Sequence, residues 1–333
     1  MSLAMVLLPA GLAGSSVAAD EPAAFVGNWA LTIPGGGAGW LGIETKDGEL
    51  RGSILWGGGS VVPVESVKVD GDKLIVTRIR EVKRKDKAGK ETTAAITTTI
   101  TGKVSGDQMD LSIVTANEKG KAMGEAAEFS GRRIRPVPAA PDLSKVEFGE
   151  PIMLFNGKDL SGWQVMNPDL PSGWVVEDGV LVNRAPQEEG GRHKRYSNLR
   201  TEREFEDFNL TLETRVPKNG NSGIYLRGIY EVQVADTIDQ PLDSHNMGAI
   251  YSRIGPTVAA ERPAGQWQTF DITLVDRHVT VVLNGKKIID NQPLQGVTGG
   301  ALRSDEFRPG PIYLQGDHTS VDYRNMVLRP VVK

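Results

Sequence analysis

The chain of 333 residues contains no cysteine. That absence removes disulfide frameworks, thiolate zinc sites and cysteine nucleophiles at once. Nor is there an excess of positive charge: 38 Lys and Arg against 42 Asp and Glu leave a net charge of -4. Such a balance offers no electrostatic footprint for nucleic acid. Apolar runs at helical spacing are few, so long helices are not expected. Beyond residue 19 no apolar stretch reaches the ~20 residues that a membrane-spanning helix needs. What is present is 39% hydrophobic and 24% charged residues, with 39 glycines and 19 prolines. That composition describes a globular, turn-rich β protein. The length suggests two domains, at ~100–200 residues each.

Residues 1–19 are small and apolar and end in Val17-Ala18-Ala19 ahead of Asp20. The pattern is that of the apolar region and cleavage site of a secretory signal, although no basic segment precedes it. The expectation is an exported protein, periplasmic or extracellular, with no membrane span once the signal is removed. A short membrane anchor is the alternative reading. With no cysteine at Asp20, a lipoprotein anchor is excluded.

Residues 22–135 read as a meander of about eight short strands separated by Gly, Asp and Lys turns. The expected strands cover residues 29–33, 40–45, 50–56, 61–69, 73–79, 94–101, 108–114 and 128–134. Lys83-Arg84-Lys85-Asp86-Lys87 suits a solvated hairpin tip. A small β-barrel is the economical way to hide the edges of such a meander. Gly27-Asn28-Trp29, with Arg132-Arg133 in the last strand, is similar to the lipocalin-like opening in which an arginine covers a tryptophan. Gly57-Gly58-Gly59 is not a phosphate loop, because no helix pattern follows it. Residues 136–149, with Pro136, Pro138 and Pro141, form a semi-rigid linker to a second domain over residues 150–333.

The second half centres on Asn221-Ser-Gly-Ile-Tyr-Leu-Arg-Gly-Ile-Tyr-Glu-Val-Gln-Val-Ala-Asp236. Alternation predicts a hairpin, and a loop of Gly228-Ile229-Tyr230 would set Arg227 opposite Glu231 and Tyr225 opposite Gln233. Tyr225, Arg227, Glu231 and Gln233 would then share one face, and Ile224, Leu226, Val232 and Val234 the other. A polar face of this kind suits a small polar ligand; the alternative is a solvated sheet face carrying an ion pair.

Around this hairpin stand several further segments. They are Leu154-Phe-Asn-Gly-Lys-Asp-Leu-Ser-Gly-Trp163, Trp174-Val-Val-Glu-Asp-Gly-Val-Leu181 and Leu199-Arg-Thr-Glu-Arg-Glu-Phe205, then His245-Asn-Met-Gly-Ala-Ile-Tyr251 and Gly310-Pro-Ile-Tyr-Leu-Gln-Gly-Asp-His318. In this order and spacing they closely resemble the 3-keto-disaccharide hydrolase domain family over about residues 150–330. The resemblance implies an all-β, concanavalin-like jelly roll: two antiparallel sheets with a ligand cleft on the concave one. The alternating runs 270–275 and 278–283, the Asn284-Gly285 turn and a closing strand over 321–328 agree with it independently.

The resemblance also implies a carbohydrate partner: a sugar already oxidised at C3, whose ketone acidifies the proton on C2. A base removes that proton, the enolate expels the group on C1, and an acid protonates the departing oxygen, with or without later addition of water. Such a route needs a base, an acid and donors, or a metal, for the enolate oxygen. Glu231 is the first catalytic candidate, with His318, His245 and Glu202 beside it. Tyr225, Arg227, Gln233, Asp236, Trp267, Gln315 and Asp317 are candidates to bind the sugar. His193 and His278, which complete the four histidines, are assigned to a solvated loop and to the convex sheet. No cofactor motif stands out; a divalent metal on Glu231, Asp236, Asp317 and one histidine is the one these residue types allow. A carbohydrate-binding module is the competing reading, since one fold hosts both roles. An ordinary glycosidase would need two flanking carboxylates, and Glu231-Val-Gln-Val-Ala235 supplies one. The oligomeric state is not legible.

Overall fold

The structure, a computed structural model, describes residues 21–85, 91–188 and 191–332. The leader-like residues 1–19 and the tip residues Asp86 and Lys87 lie outside the described residues. Among the described residues the only helical pieces are two 3-10 turns, Glu21–Ala24 and Leu143–Lys145. No helix among them is long and apolar enough to cross a membrane.

The first half forms nine antiparallel strands: β1 (Gly27–Thr32), β2 (Ala38–Lys46), β3 (Glu49–Trp56), β4 (Val62–Pro63), β5 (Ser66–Asp70), β6 (Lys73–Lys85), β7 (Glu91–Ser105), β8 (Gln108–Ala116) and β9 (Ala127–Arg133). They run in the order β4-β3-β2-β1-β9-β8-β7-β6-β5. The single strand expected over 61–69 is broken in two, because Pro63 has no N–H with which to extend a ladder. The link after it closes the barrel. Val64 N–H donates to the Gly52 carbonyl on β3 at 3.0 Å, and Glu65 N–H donates to the Thr77 carbonyl on β6 at 2.9 Å. Inward-facing Trp29, Leu31, Leu41, Ile54, Leu74, Val76, Ile100 and Leu111 fill the interior. At one end the Arg133 guanidinium lies 4.1 Å from the centre of the Trp29 ring. It also donates to the carbonyls of Val26 and Ala24, so the arginine-over-tryptophan arrangement is present.

The second half is a two-sheet sandwich. One sheet holds β10 (Ile152–Met153), β12 (Trp174–Glu177), β13 (Val180–Asn183), β15 (Phe208–Arg215), β18 (Gln268–Val275), β19 (His278–Leu283), β20 (Lys286–Pro293) and β22 (Val321–Pro330). The other holds β11 (Trp163–Val165), β14 (Leu199–Phe205), β16 (Asn221–Leu226), β17 (Tyr230–Ala235) and β21 (Gly310–Leu314), in the order β11-β14-β21-β16-β17. Alternation explains the packing: Phe208, Leu210 and Leu212 on β15 and Phe270, Ile272 and Leu274 on β18 are all buried between the sheets. Burying each such side chain contributes about 1.5–3 kcal/mol. Asn284 and Gly285, with φ of 51° and 81°, make the left-handed turn that the sequence predicts.

The barrel is seated on the sandwich. Trp40, Leu55 and Ile134 join the sandwich's own apolar core, and the Arg253 guanidinium stacks 4.2 Å from the Trp40 ring. The linker follows the sandwich surface: Arg277 donates to the carbonyls of Arg135 and Pro136, and Asn291 donates to that of Pro141.

Candidate active site

The β16–β17 hairpin turns one residue earlier than its glycine suggests. Tyr225 pairs with Glu231, Gly223 with Gln233 and Leu226 with Tyr230. The loop is Arg227-Gly228-Ile229, with Arg227 and Gly228 both left-handed at φ of 55° and 67°. The expected facing of Arg227 to Glu231 is therefore corrected. Arg227 sits in the turn and donates to the carbonyls of Glu306 and Arg308, away from the sheet face. Tyr225, Glu231 and Gln233 do share one face, because directly opposed residues and every second residue point the same way.

That face is roofed, which is why the three side chains are buried although they point away from the core. Segment 248–251 runs beside β17: Gln233 N–H donates to the Ala249 carbonyl and Tyr251 N–H to the Glu231 carbonyl. Segment 298–302 crosses the hairpin end, where the Thr298 hydroxyl oxygen accepts from Glu231 N–H at 2.9 Å. The Glu231 carboxyl lies flat over Gly223, and a Cβ there would collide with it. Its Oε2 is 2.9 Å from the Tyr225 hydroxyl. Burial pushes the Glu231 carboxyl up to about 8, against the hydrogen bond from Tyr225 and with a further push from the nearby Asp317 charge. Burial likewise raises the Tyr225 hydroxyl. Glu231 is thus a neutral acid at pH 7.

Beside it, the Tyr225 and Tyr313 rings stack with centroids 4.1 Å apart, worth about 0.5–1.5 kcal/mol beyond the area buried. Asn198 donates to the Tyr313 hydroxyl at 3.0 Å. Arg200, paired with Tyr313 across β14 and β21, starts from the same face, and its guanidinium donates to Gln164 on β11 at 3.1 Å. Gln315 follows β21, and its N–H donates to the Gly223 carbonyl at 2.9 Å. The amide oxygens of Asn221, Gln233 and Gln315 are buried without a donor. They are acceptors that sugar hydroxyls could satisfy.

At the end of β21, His318 Nδ1 lies 2.7 Å from Asp317 Oδ1. Burial opposes ionisation of Asp317, but the hydrogen bond and charge of His318 outweigh it and hold the carboxyl below its usual value. An Nδ1–H donated to Asp317 leaves Nε2 free as a base. His193, assigned to a solvated loop from sequence, is exposed but meets His318 edge-on at 5.7 Å. His193, Asp317 and His318 offer ligand atoms all within 4.8 Å of one another, so these three could hold a divalent cation.

The remaining sequence candidates lie apart. Asp236 accepts from Asn219 N–H at 2.8 Å and caps a turn, so it joins no cation cluster with Glu231. Glu202 is exposed at an irregularity of β14, three strands across the sheet from Glu231. Trp267 directly precedes β18 of the other sheet, and the guanidiniums of Arg215 and Arg324 lie 4.7 and 4.0 Å from its ring centre. His245 stands at the barrel seam, 3.0 Å from the Ser60 hydroxyl. His278 lies on β19 of the other sheet, as expected. The residues that sequence reasoning missed are Asn198, Arg200, His193, Asn221, Tyr313 and Thr298; only Arg200, Asn221 and Tyr313 fell within the quoted motifs. Cavities of about 460 and 550 Å³ lie in the seam and are lined by residues such as Trp40, Arg51, Arg253 and Arg277. None of the sheet-face residues above lines them, so volume alone does not mark the site.

A two-sheet sandwich with a roofed polar recess is a frame on which a polar small-molecule site can be built, without fixing its function. Residues 150–329 match the family model described as the 3-keto-alpha-glucoside-1,2-lyase-like domain, and the chain belongs to this family. A curated relative, a 3-keto-disaccharide hydrolase of Bacteroides thetaiotaomicron, is 27% identical over 172 residues. That match takes in 42% of this chain and 57% of the relative, so the chain spans little more than half of that protein. Among solved structures, a provisionally named glycosyl hydrolase of Parabacteroides distasonis at 2.13 Å is 30% identical. It covers 59% of this chain and 93% of its own, with a TM-score of 0.43. A carbohydrate binding module of Bacillus subtilis, 12% identical, covers 50% of this chain and 93% of its own with a TM-score of 0.33. Likenesses at these scores carry no argument about function.

Proposed function

We propose that the protein cleaves 3-keto-glycosides, 3-keto-disaccharides among them, by elimination across C1 and C2. The observation that carries this reading is a pair of differently poised groups, Glu231 on the sheet face and Asp317–His318 just past the end of β21, near enough that Glu231 feels the Asp317 charge. Glu231 is a buried, neutral carboxyl, and the Asp317–His318 pair is an ionised carboxylate orienting an imidazole. Environments that push two groups apart in this way assign acid and base.

In the proposed sequence His318 Nε2 takes the C2 proton. The C2–H electron pair forms the enolate with the C3 carbonyl. The enolate then reforms the ketone, making the C1–C2 double bond and breaking the bond from C1 to the glycosidic oxygen. That oxygen takes the Glu231 proton as it departs. Addition of water to the unsaturated ketone, its hydroxyl to C1 and its proton to C2, gives net hydrolysis. Arg200 supplies positive charge for the enolate oxygen. Gln233, Gln315 and Asn221 receive sugar hydroxyls. A cation on His193, Asp317 and His318 would instead polarise the ketone.

The leader-like residues 1–19 support an exported site of action. The test is to incubate the purified protein with a 3-keto-disaccharide and with its unoxidised parent, following products by mass and NMR. Cleavage of the keto sugar alone is expected. Equal cleavage of the parent would indicate ordinary glycosidase chemistry, and binding without turnover of either would indicate a binding module.

A further inference from the structure

The Tyr225 hydroxyl has one proton and two acceptors. It lies 2.9 Å from Glu231 Oε2 and 2.8 Å from the Gly299 carbonyl oxygen. A phenol can donate once. If it donates to Gly299, the contact with Glu231 is a hydrogen bond only when Glu231 carries the proton and donates it to the tyrosine oxygen. If Glu231 is ionised, Tyr225 must turn to it, and the buried Gly299 carbonyl loses its donor. The position of that carbonyl therefore bears on which form of Glu231 the site favours.

Gly299 is held from outside the sandwich. Its Cα abuts the Gly59 backbone so closely that a Cβ would collide with it. Gly300 N–H donates to the Gly57 carbonyl at 3.3 Å. A Cβ on Gly300, which has φ of 78°, would come within 2.6 Å of the Tyr225 hydroxyl. Gly299 and Gly300 thus allow backbone to meet backbone, and backbone to meet Tyr225. The turn after β3 is itself pinned to the sandwich. Val61 N–H donates to the Ser252 hydroxyl at 2.8 Å, and the Ser60 hydroxyl lies 3.0 Å from His245 Nε2.

We propose that the barrel's Gly57–Ser60 turn is a positioning element of the active site. By seating Gly299 it holds a carbonyl that takes the Tyr225 proton, so that Glu231 is kept in its acid form. The inference rests on Glu231 being the proton donor, and it extends the site beyond the family domain into the barrel. Other groups also act on Glu231. Asp317, beyond β21, repels its charge; Tyr313, on β21, stacks on Tyr225; Tyr323, on β22 of the opposing sheet, feels the same carboxyl. These groups stay in place when the turn alone is altered.

The test reads Glu231 directly and needs no substrate. In the full chain labelled with carboxyl-13C glutamate, the Glu231 resonance is assigned by its loss in Glu231→Gln and titrated in wild type and Gly299→Ala. The expected result is a downward shift of about one pH unit, the size that one redirected hydrogen bond supplies. Ser60→Ala combined with Ser252→Ala loosens the turn without touching Gly299 and should shift Glu231 in the same direction by less. In a Tyr225→Phe background Gly299→Ala should produce no shift. A shift that persists there would overturn the proposal, because the turn would then act by excluding water. No shift in either loosened variant of the Tyr225 protein would overturn it as well. If Glu231 titrates as described but no 3-keto-glycoside is cleaved, the coupling stands and the activity assignment fails.

Discussion

Glu231 and Glu306 are both buried carboxyls, both bonded to a tyrosine hydroxyl and both raised by burial. They differ in what else they meet. Glu306 Oε1 accepts from Tyr230 at 2.7 Å and from Gly296 N–H at 3.0 Å. Arg277 lies 3.9 Å from its Oε2, and the Arg253 charge is nearby. Glu231 has no such cation; its charged neighbour, Asp317, has the same sign. The two tyrosines come from opposite faces of one hairpin, Tyr225 toward the recess and Tyr230 toward the core. A buried carboxyl surrounded by arginines and backbone donors ties structure together, whereas one left with a tyrosine and a like charge keeps a proton to give.

The widest separation of the two should appear on substitution. Glu231→Gln should lower turnover of a 3-keto-glycoside by about 10²–10⁴-fold, the range for a general acid, while substrate binding and fold persist. Near wild-type turnover would remove Glu231 from the chemistry. Glu306→Ala should do the converse, costing about 3–5 kcal/mol in urea unfolding because it leaves Arg277 buried without its counter-charge. A stable Glu306→Ala protein would erase the contrast.

Titration should sharpen it. Turnover that needs the Glu231 proton should be lost as pH rises through about 8. Stability follows the same group: between its ordinary value of 4.5 and about 8, the folded carboxyl keeps a proton that the unfolded chain has released. Stability should therefore fall as pH rises across that window. Glu231→Gln should flatten this fall, so its melting temperature should exceed that of the wild type by at least about 2 °C at pH 9 and match it at pH 4. Equal melting temperatures at both values would refute the burial argument. The smallest effect expected is that of a chelator. His318 Nδ1 is already engaged by Asp317, so EDTA should leave turnover unchanged; loss restored by a divalent ion would move the His193 cluster into the mechanism.

Much of the frame is legible in the sequence. Period-two alternation places Tyr225, Glu231 and Gln233 together, and Asn284-Gly285 announces its turn. Arg133 does cover Trp29. What was misread has physical causes. The hairpin slips by one residue because Arg227 joins Gly228 in the left-handed region, so the loop begins at an arginine that carries no turn signal in the sequence. Trp267 reads as a sugar platform until β15 and β22 bring Arg215 and Arg324 onto its ring, a pairing across more than a hundred residues. His193 and His318 are brought together by the fold from 125 positions apart. The roof over Glu231 is equally non-local, so its shifted proton affinity could not be read from β17 alone.

The meeting of Gly59 with Gly299 also governs how the two halves can be recombined. A Cβ on Gly299 would fall on the Gly59 backbone, whereas one on Gly59 would meet nothing, so the contact works as a fitting gauge set from the sandwich side. A sandwich from a relative with alanine at the position of Gly299 would not accept this barrel in the same pose, however similar its other surfaces. Chimeras that exchange the barrel should therefore succeed or fail according to one residue, Gly299, that carries no functional group at all.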